Sequence, residues 1–228
     1  MSKIYQNFII IAFLNSDPKG LKGAKMTFEE SLNARHACKK FSDKAISSKD
    51  LDFILEAGRL APSGYGFEPW KFIVVGNEYS AQLSKCCYNQ ENVATASYNI
   101  VILGRMDLKS KDEFARAQVR RFATDDAHFE QILGVYTGWA DKLSDEEIFH
   151  FSQAQCYLPL MQMMNAAIFR GIDSCAIGGF ERKKVEEFLG IKKPFGVAVV
   201  LSLGYKANEP HHDKKRQDKS QVIEFWKK

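Results

Sequence analysis

Apolar residues recur at three- and four-residue steps in several stretches of the chain, and this spacing predicts helices. Thr27 and Glu30 have the spacing of a capping box, so the first helix is expected to begin there and run to about Ala34. A second helix is expected to end near Ala61, because Pro62 disfavours helical geometry in the residue before it. Further helical patterns cover 78–87, 109–143, 145–170 and 181–189.

Runs of branched and aromatic residues predict strands at 70–75, 100–104, 173–177 and 195–204. The first of these is expected to be a buried strand, because its apolar residues follow one another without alternation. Strands and helices interleave without the regular alternation of a doubly wound fold. We therefore predict an α+β fold in which helices flank a central, mostly antiparallel or mixed sheet. The sequence contains no GxGxxG or GxxxxGK(S/T) motif, so nucleotide binding by those routes is not predicted.

The longest helical pattern, 145–170, contains Pro159, which is expected to kink or split the helix. Its Met161, Met163 and Met164 could face a cofactor, but packing in the core is the favoured interpretation. The charged helical segment that precedes this pattern is expected to cover another part of the molecule.

Residues 1–25 are predicted to be an appendage outside the main fold. The apolar run 8–14 resembles the front of a signal peptide, but no small-x-small cleavage pattern follows it, and it is too short to span a bilayer. Met26 begins a sequence typical of a natural start. We therefore expect a single domain over 26–228. Its polar tail ends in apolar residues, 222–226, which are expected to dock on another surface; in a dimer, that surface could belong to the partner subunit.

The composition, with 45% hydrophobic and 26% charged residues, is that of a globular protein and excludes disordered and fibrous classes. The net charge of +4 does not demand a nucleic-acid partner. The five cysteines show no CxxC or zinc-ligand spacing, which predicts packed thiols in a reducing, cytoplasmic compartment and no metal site. A catalytic cysteine is not favoured, because no histidine pattern that would activate it is present.

Two short basic segments could bind one anion. Arg35 and Lys39 lie four residues apart, and Lys214 and Arg216 follow the last predicted strand. Arginine offers a forked donor set suited to phosphate, and lysine adds a point charge. Taken alone, these residues could equally be a solvated surface and a basic tail.

Two glycine-containing segments could approach a flat ring. The segment after Ala61 reads P-S-G-Y-G-F-E-P-W, a stiff and irregular loop that enters a strand. The segment 171–180 reads G-I-D-S-C-A-I-G-G-F, and its paired glycines follow a strand and precede a helix. Backbone without a Cβ can approach a ligand closely, and a helix N-terminus favours electron-rich atoms. A plain connector and a tight turn would have the same composition.

In order and spacing, these four segments together resemble the nitroreductase family over residues 26–226. The resemblance implies a three-layer sandwich that forms an intertwined homodimer with two FMN sites at the subunit interface. It implies no catalytic side chain, since the flavin carries the chemistry. The residues that it assigns to the FMN site are Arg35, His36, Lys39, Pro62, Ser63, Gly64, Asn89, Gln155, Gly178, Gly179, Lys214 and Arg216.

Within that resemblance, the cations would hold the FMN phosphate or the pyrimidine edge of the ring. The loop of Pro62, Ser63 and Gly64 would line the site from the partner subunit. Backbone N–H groups of Gly178 and Gly179 would lie near the flavin N5. Asn89 would contact the flavin, and Gln155 would sit in the helix beneath the ring.

The sequence departs from the family pattern at Gly66, Glu68, Gly178 and Asn92, where many or some members carry Asn, Gln, Glu and Lys respectively. Loss of the lysine would remove positive charge near N1 of the flavin and lower its potential. The preferred acceptor is therefore not predicted.

The function expected is electron transfer from NADPH or NADH to nitroaromatics, quinones or similar acceptors in a ping-pong reaction. One alternative is a flavin-binding or flavin-processing protein of the same fold without this turnover. A second alternative is a protein without flavin whose basic tail contacts nucleic acid. No membrane association is expected.

Overall fold

The structure is a computed structural model and describes residues 26–210 and 213–227. The predicted appendage, 1–25, therefore lies outside the described residues. The helices are α1 (Phe28–Ala34), α2 (Ser48–Arg59), α3 (Asn77–Cys86), α4 (Glu91–Ala94), α5 (Glu113–Arg120), α6 (Asp126–Thr137), α7 (Asp145–Phe169), α8 (Arg182–Leu189) and α9 (Lys219–Val222). The strands are β1 (Trp70–Gly76), β2 (Tyr98–Arg105), β3 (Asp173–Ile177) and β4 (Phe195–Gly204). Short 3-10 turns lie at Gly64–Gly66 and Ala140–Lys142.

The four strands form one antiparallel sheet in the order β1-β2-β4-β3. In its register Phe72 lies opposite Ile102, and Cys175 lies opposite Ser202. This confirms the predicted α+β class and the antiparallel sheet. The expectation that the first strand is buried was wrong, because β1 lies at an edge and only Val75 among its residues is buried.

Helices cover both faces of the sheet, as expected for three layers. On one face, α2 and α7 pack against β2 and β4 around Ile54, Ile100 and Met163. On the other face, α3 and α8 contribute Leu83 and Val185 to a second apolar cluster. Burial of such side chains is the main favourable term in folding.

The first helix begins, and the second ends, as predicted. Thr27 and Glu30 form a reciprocal capping box at the start of α1, and the Ser47 hydroxyl accepts a hydrogen bond from the Asp50 N–H at the start of α2.

Helix α7 continues unbroken through Pro159, so the expected split does not occur. Pro159 is buried within the packed layer, and this packing compensates for the hydrogen bond that the ring removes. Met163 and Met164 are buried as expected, whereas Met161 is 40% exposed and does not belong to the core. Within the described residues, no helix is long and apolar enough to cross a membrane.

The segment between β2 and α7 forms helices α5 and α6, which are separated at 121–125. It has its own apolar cluster, centred on Val119, Phe129 and Leu133. That cluster also buries Phe67, which belongs to the loop before β1. The helical segment thus covers this loop, as the sequence indicated.

Candidate functional site

A cavity of about 930 Å³ lies between the chain that follows α1 and the tail that follows β4. Five of the predicted site residues line it, although they come from the two ends of the domain: Arg35, His36, Lys39, Lys214 and Arg216. Lys40, Lys215, Glu209 and Asp213 are also in its wall.

The chain after α1 runs along the outer edge of β3. Arg35 caps the C-terminus of α1, and its N–H donates to the Ser31 carbonyl at 3.0 Å. The N–H of Cys38 donates to the Ser174 carbonyl at 3.1 Å, and Ala37 forms a parallel bridge with Ser174. These contacts use the free edge of the sheet to fix the backbone that leads into Lys39.

The tail reaches the same place through Lys214, whose ammonium donates to the Leu32 carbonyl in the last turn of α1. The last carbonyls of a helix have no partner within the helix, and they attract cations. This contact brings the basic tail segment to the C-terminal end of α1.

The cavity carries positive charge that other side chains do not neutralise. Burial of the Lys214 ammonium lowers its pKa, and the guanidinium groups of Arg35 and Arg216 lower that pKa further. Glu209 is paired with Lys206 at 2.7 Å, and within 26–210 and 213–227 none of the cations Arg35, Lys39, Lys214 and Arg216 has a carboxylate within ion-pair distance. Cations arranged in this way are suited to a phosphate group.

His36 also faces the cavity. Its Nε2 lies 3.9 Å from Oδ1 of Asp173, and its Nδ1 lies 3.3 Å from the Ala34 carbonyl oxygen. The same carboxylate accepts the Lys206 N–H at 2.9 Å. Asp173 therefore ties the histidine to the start of β3.

A second group of predicted residues lies in the loop before β1, and none of its residues lines the cavity. The Ser63 hydroxyl accepts the Glu68 N–H at 2.8 Å, and the Gly64 N–H donates to Oε1 of Gln155 at 2.7 Å. Tyr65 and Glu68 have φ values of 57° and 48°, a left-handed conformation that is costly for residues other than glycine. Gln155, predicted beneath the ring, thus uses its side chain to hold the loop.

Contacts from α5 and α6 also hold this loop. The Arg121 guanidinium donates to the Glu68 carboxylate at 2.8 Å, and the Tyr65 ring stacks on Trp139 with 6.0 Å between centroids. A Cβ at Gly66, where φ is +66°, would come within 2.7 Å of the Phe122 ring. Several independent contacts therefore stabilise the strained backbone.

A third group lies where β3 ends. A Cβ built on Gly178 would meet nothing within 4 Å, so this position is open. The Gly179 carbonyl accepts the Gln90 side-chain amide at 2.7 Å. Asn89, next to that glutamine, has φ of 55° and donates its N–H to the Ser84 carbonyl at 2.8 Å. The structure therefore brings Asn89 and the two glycines to one end of the sheet.

The comparison with protein-family models matches residues 32–205 to the Nitroreductase family. The chain belongs to the Nitroreductase family. A protein of Staphylococcus epidermidis that carries an NAD(P)H nitroreductase name is 32% identical over 212 residues, which are 87% of this chain and 96% of that protein. A Bacillus subtilis protein with the same kind of name is 33% identical over 203 residues, 79% of this chain and 89% of its own length.

Solved structures agree with this assignment. A nitroreductase-family protein of Streptococcus pneumoniae superimposes with a TM-score of 0.76 at 29% identity, over 88% of this chain and all of the other. A nitroreductase-like structure from Exiguobacterium sibiricum, solved in complex with FMN, has a TM-score of 0.73 at 23% identity, over 88% of this chain and 97% of its own. The second likeness shows the fold alone.

The sequence did not single out two contacts of this nitroreductase-family site. Gln90 bridges to Gly179, and its only sequence signal was its position beside Asn89. Cys175 accepts hydrogen bonds from Asn92 at 3.2 Å and from Lys39 at 4.0 Å. Asn92, which stands where some members carry lysine, is therefore not free to face a ligand.

The other thiols behave as packed side chains. Burial raises the pKa of Cys38 to about 11 and the pKa values of Cys87 and Cys156 to about 12. Thiols with raised pKa values are poor nucleophiles at neutral pH. In the described part of the chain, no group of three metal-ligating side chains comes together.

Proposed function

We propose that this chain is an FMN-dependent oxidoreductase that transfers electrons from NADPH or NADH to small flat acceptors such as nitroaromatics and quinones. The observation that supports the proposal most is the group of unneutralised cations Arg35, Lys39, Lys214 and Arg216 around one cavity. Burial and then the charges of Arg35 and Arg216 lower the pKa of Lys214, and a bound phosphate would offset both effects. The NAD(P)H nitroreductase names of relatives that match nearly their full length agree with this activity.

FMN, when bound, would supply the electron transfer between nicotinamide and acceptor in two alternating half-reactions. The residues of the chain bind and orient it. Arg35, Lys214 and Arg216 would hold the phosphate, with His36 beside them. The open backbone at Gly178 would let main-chain N–H groups reach the edge of the ring. No side chain is proposed as an acid or base.

We further propose that the protein is a homodimer. Helix α7 is apolar around much of its circumference, yet Tyr157, Leu158 and Met161 are 48%, 42% and 40% exposed. Such a helix is normally covered on all sides. The tail adds Phe225 and Trp226, which are 80% and 78% exposed. A second copy would cover both surfaces and would bring its Pro62–Gly64 loop to the cavity.

Sedimentation velocity tests the dimer. The wild-type chain should sediment as a dimer, and Leu158→Glu should shift it towards the monomer because a charge would then be buried in the contact. Lys142→Glu, in the exposed 3-10 turn before α7 begins, is the control and should remain dimeric. A wild-type chain that is monomeric at micromolar concentration would contradict the proposal.

Titration of apoprotein with FMN tests the binding residues. Each charge-assisted contact to phosphate contributes about 1.5–3 kcal/mol, so Arg35→Ala should weaken FMN binding by roughly 10- to 100-fold. Arg59→Ala is a matched control, because Arg59 is paired with Glu56 on the surface of α2. Unchanged FMN affinity in Arg35→Ala would remove Arg35 from the site. Tight FMN binding without NADPH oxidation would instead support a flavin-binding protein that lacks this turnover.

A further inference from the structure

Cys175 is the shared acceptor of two polar side chains in the middle of β3. Its thiol group is buried, with 2% of the residue exposed, and its Sγ receives the Asn92 side-chain amide at 3.2 Å. The Lys39 ammonium approaches the same sulfur at 4.0 Å. Asn92 is itself 3% exposed, so the amide is committed to this contact.

Lys39 is separate from the other cations of the cavity. The Lys214 ammonium contacts the Leu32 carbonyl at the end of α1, whereas the Lys39 ammonium contacts Cys175, which lies three residues before Gly178. The cations therefore divide into a group at the end of α1 and a single lysine beside β3, the strand that leads to the paired glycines.

We propose that Cys175, fixed by Asn92, is a positioning residue that holds the Lys39 ammonium at the ring end of the FMN site. This inference rests on the proposed function. The Lys39 side chain has four rotatable bonds, so it gains conformational entropy when its ammonium leaves the Cys175 sulfur. Sulfur is also a weak hydrogen-bond acceptor. The buried amide of Asn92 fixes where the sulfur lies, so the contact has one geometry.

The consequence is electrostatic. A cation held beside the flavin stabilises the negative charge that reduction places on the ring. Binding of reduced FMN should then be favoured over binding of oxidised FMN, which raises the midpoint potential. Asn92 takes the place of a lysine that some family members carry, so Lys39 would supply this charge alone.

The test is a double-mutant cycle on the FMN-loaded protein, with Cys175→Ala, Lys39→Met and the double variant. The readouts are the midpoint potential, the dissociation constant of oxidised FMN and the melting temperature. Cys156→Ala is the control, because Cys156 is a buried thiol whose side chain forms no hydrogen bond with another described residue. Cys175→Ser keeps an acceptor at the same position.

We expect Cys175→Ala and Lys39→Met each to reduce the preference for reduced FMN by about threefold to tenfold; tenfold corresponds to about 30 mV for two electrons. The double variant should match Lys39→Met alone, and Cys175→Ser should retain most of the wild-type potential. Cys156→Ala can lower the melting temperature but should leave the potential unchanged.

Three results would overturn the inference. If Cys175→Ala shifts the potential equally in the presence and absence of Lys39, the thiol does not act through the lysine. If Cys175→Ala lowers only the melting temperature, the thiol is a packing residue, while the proposed function stands. If the wild-type protein binds no FMN, both the inference and the proposed function fail.

Discussion

Oε1 of Gln155 accepts the backbone N–H of Gly64 at 2.7 Å, and this bond joins the middle of α7 to the loop before β1. The two residues are 91 positions apart in the chain. The amide lies close to the loop as well, since a Cβ at Gly64 would be 3.4 Å from the same oxygen. The longest helix thus sets the shape of a loop that is proposed to contact FMN.

Replacing Gln155 with alanine should leave the Gly64 N–H without its partner. We expect the free energy of unfolding to fall by about 1 kcal/mol and FMN affinity to fall with it. Gln155→Glu keeps the acceptor and should retain both. The control is Gln153→Ala, which removes a bond to the Ala198 carbonyl in β4 and should lower stability only. Equal FMN affinity in Gln155→Ala and wild type would mean that the loop does not contribute to the site.

Gly66 should not tolerate a side chain. Gly66→Ala combines a left-handed φ with a close contact to Phe122, so we expect a loss of about 2–3 kcal/mol in urea unfolding at fixed protein concentration. In a Phe122→Ala background the loss should fall to about 1 kcal/mol, because only the backbone strain remains. Gly134→Ala, in α6 with open space around it, is the control and should be neutral or stabilising. A neutral Gly66→Ala would contradict this description of the loop.

The lowered pKa of Lys214 should make the stability of the apoprotein depend on pH. Its pKa in the folded state is below the ordinary value of 10.5, through burial and then the charges of Arg35 and Arg216. The unfolded chain therefore binds more protons between the two pKa values, and stability rises with pH through that window. The stability of wild type relative to Lys214→Gln should increase as the pH rises towards the ordinary lysine pKa of 10.5.

The positive charge of Lys214 opposes folding of the apoprotein, but it should favour the binding of an anion. Inorganic phosphate should raise the melting temperature of the wild-type apoprotein, and the rise should be smaller in Lys214→Gln. Lys227→Gln, farther along the tail and outside the cavity, should respond as wild type does. A relative stability that falls with pH, or equal stabilisation by phosphate, would remove Lys214 from the cluster.

The thiols should differ sharply in reactivity. Cys86 is half-buried, whereas Cys38, Cys87, Cys156 and Cys175 are buried. A disulfide reagent should therefore modify one thiol quickly in the native protein, and Cys86→Ser should abolish that phase. After denaturation all five should react. Two or more fast thiols in the native wild type would show that a buried cysteine is accessible.

Local patterns were sufficient to predict the four strands and the longer helices of this fold, but not the short helices α4 and α9. The capping box at Thr27 and the runs that form β2, β3 and β4 are short-range signals, and each element appears where it was expected. The order of strands is not a local property. An apolar run such as that of β1 has the same pattern at an edge as in the middle of a sheet, and among the described strands β1 pairs with β2 alone.

The sequence was sufficient to predict residues of the candidate site, but not the hydrogen bonds that these residues form. Arg35 and Lys214 share a cavity, as the resemblance implied, although they come from opposite ends of the domain. Nothing in the sequence near Gln155 indicated that its amide holds a loop, and Cys175 had the pattern of a packed thiol. Such pairings depend on how helices and strands meet, which the spacing along the chain does not record.

The most direct measurement is the absorbance spectrum of the freshly purified protein, recorded without oxygen before and after addition of NADPH or NADH. We expect flavin bands that bleach when the nicotinamide is added and return when a nitroaromatic or quinone is added. A flavin that stays oxidised with both nicotinamides would contradict the proposed oxidoreductase. A colourless protein that cannot be reconstituted with FMN would contradict the assignment of the cation cluster as well.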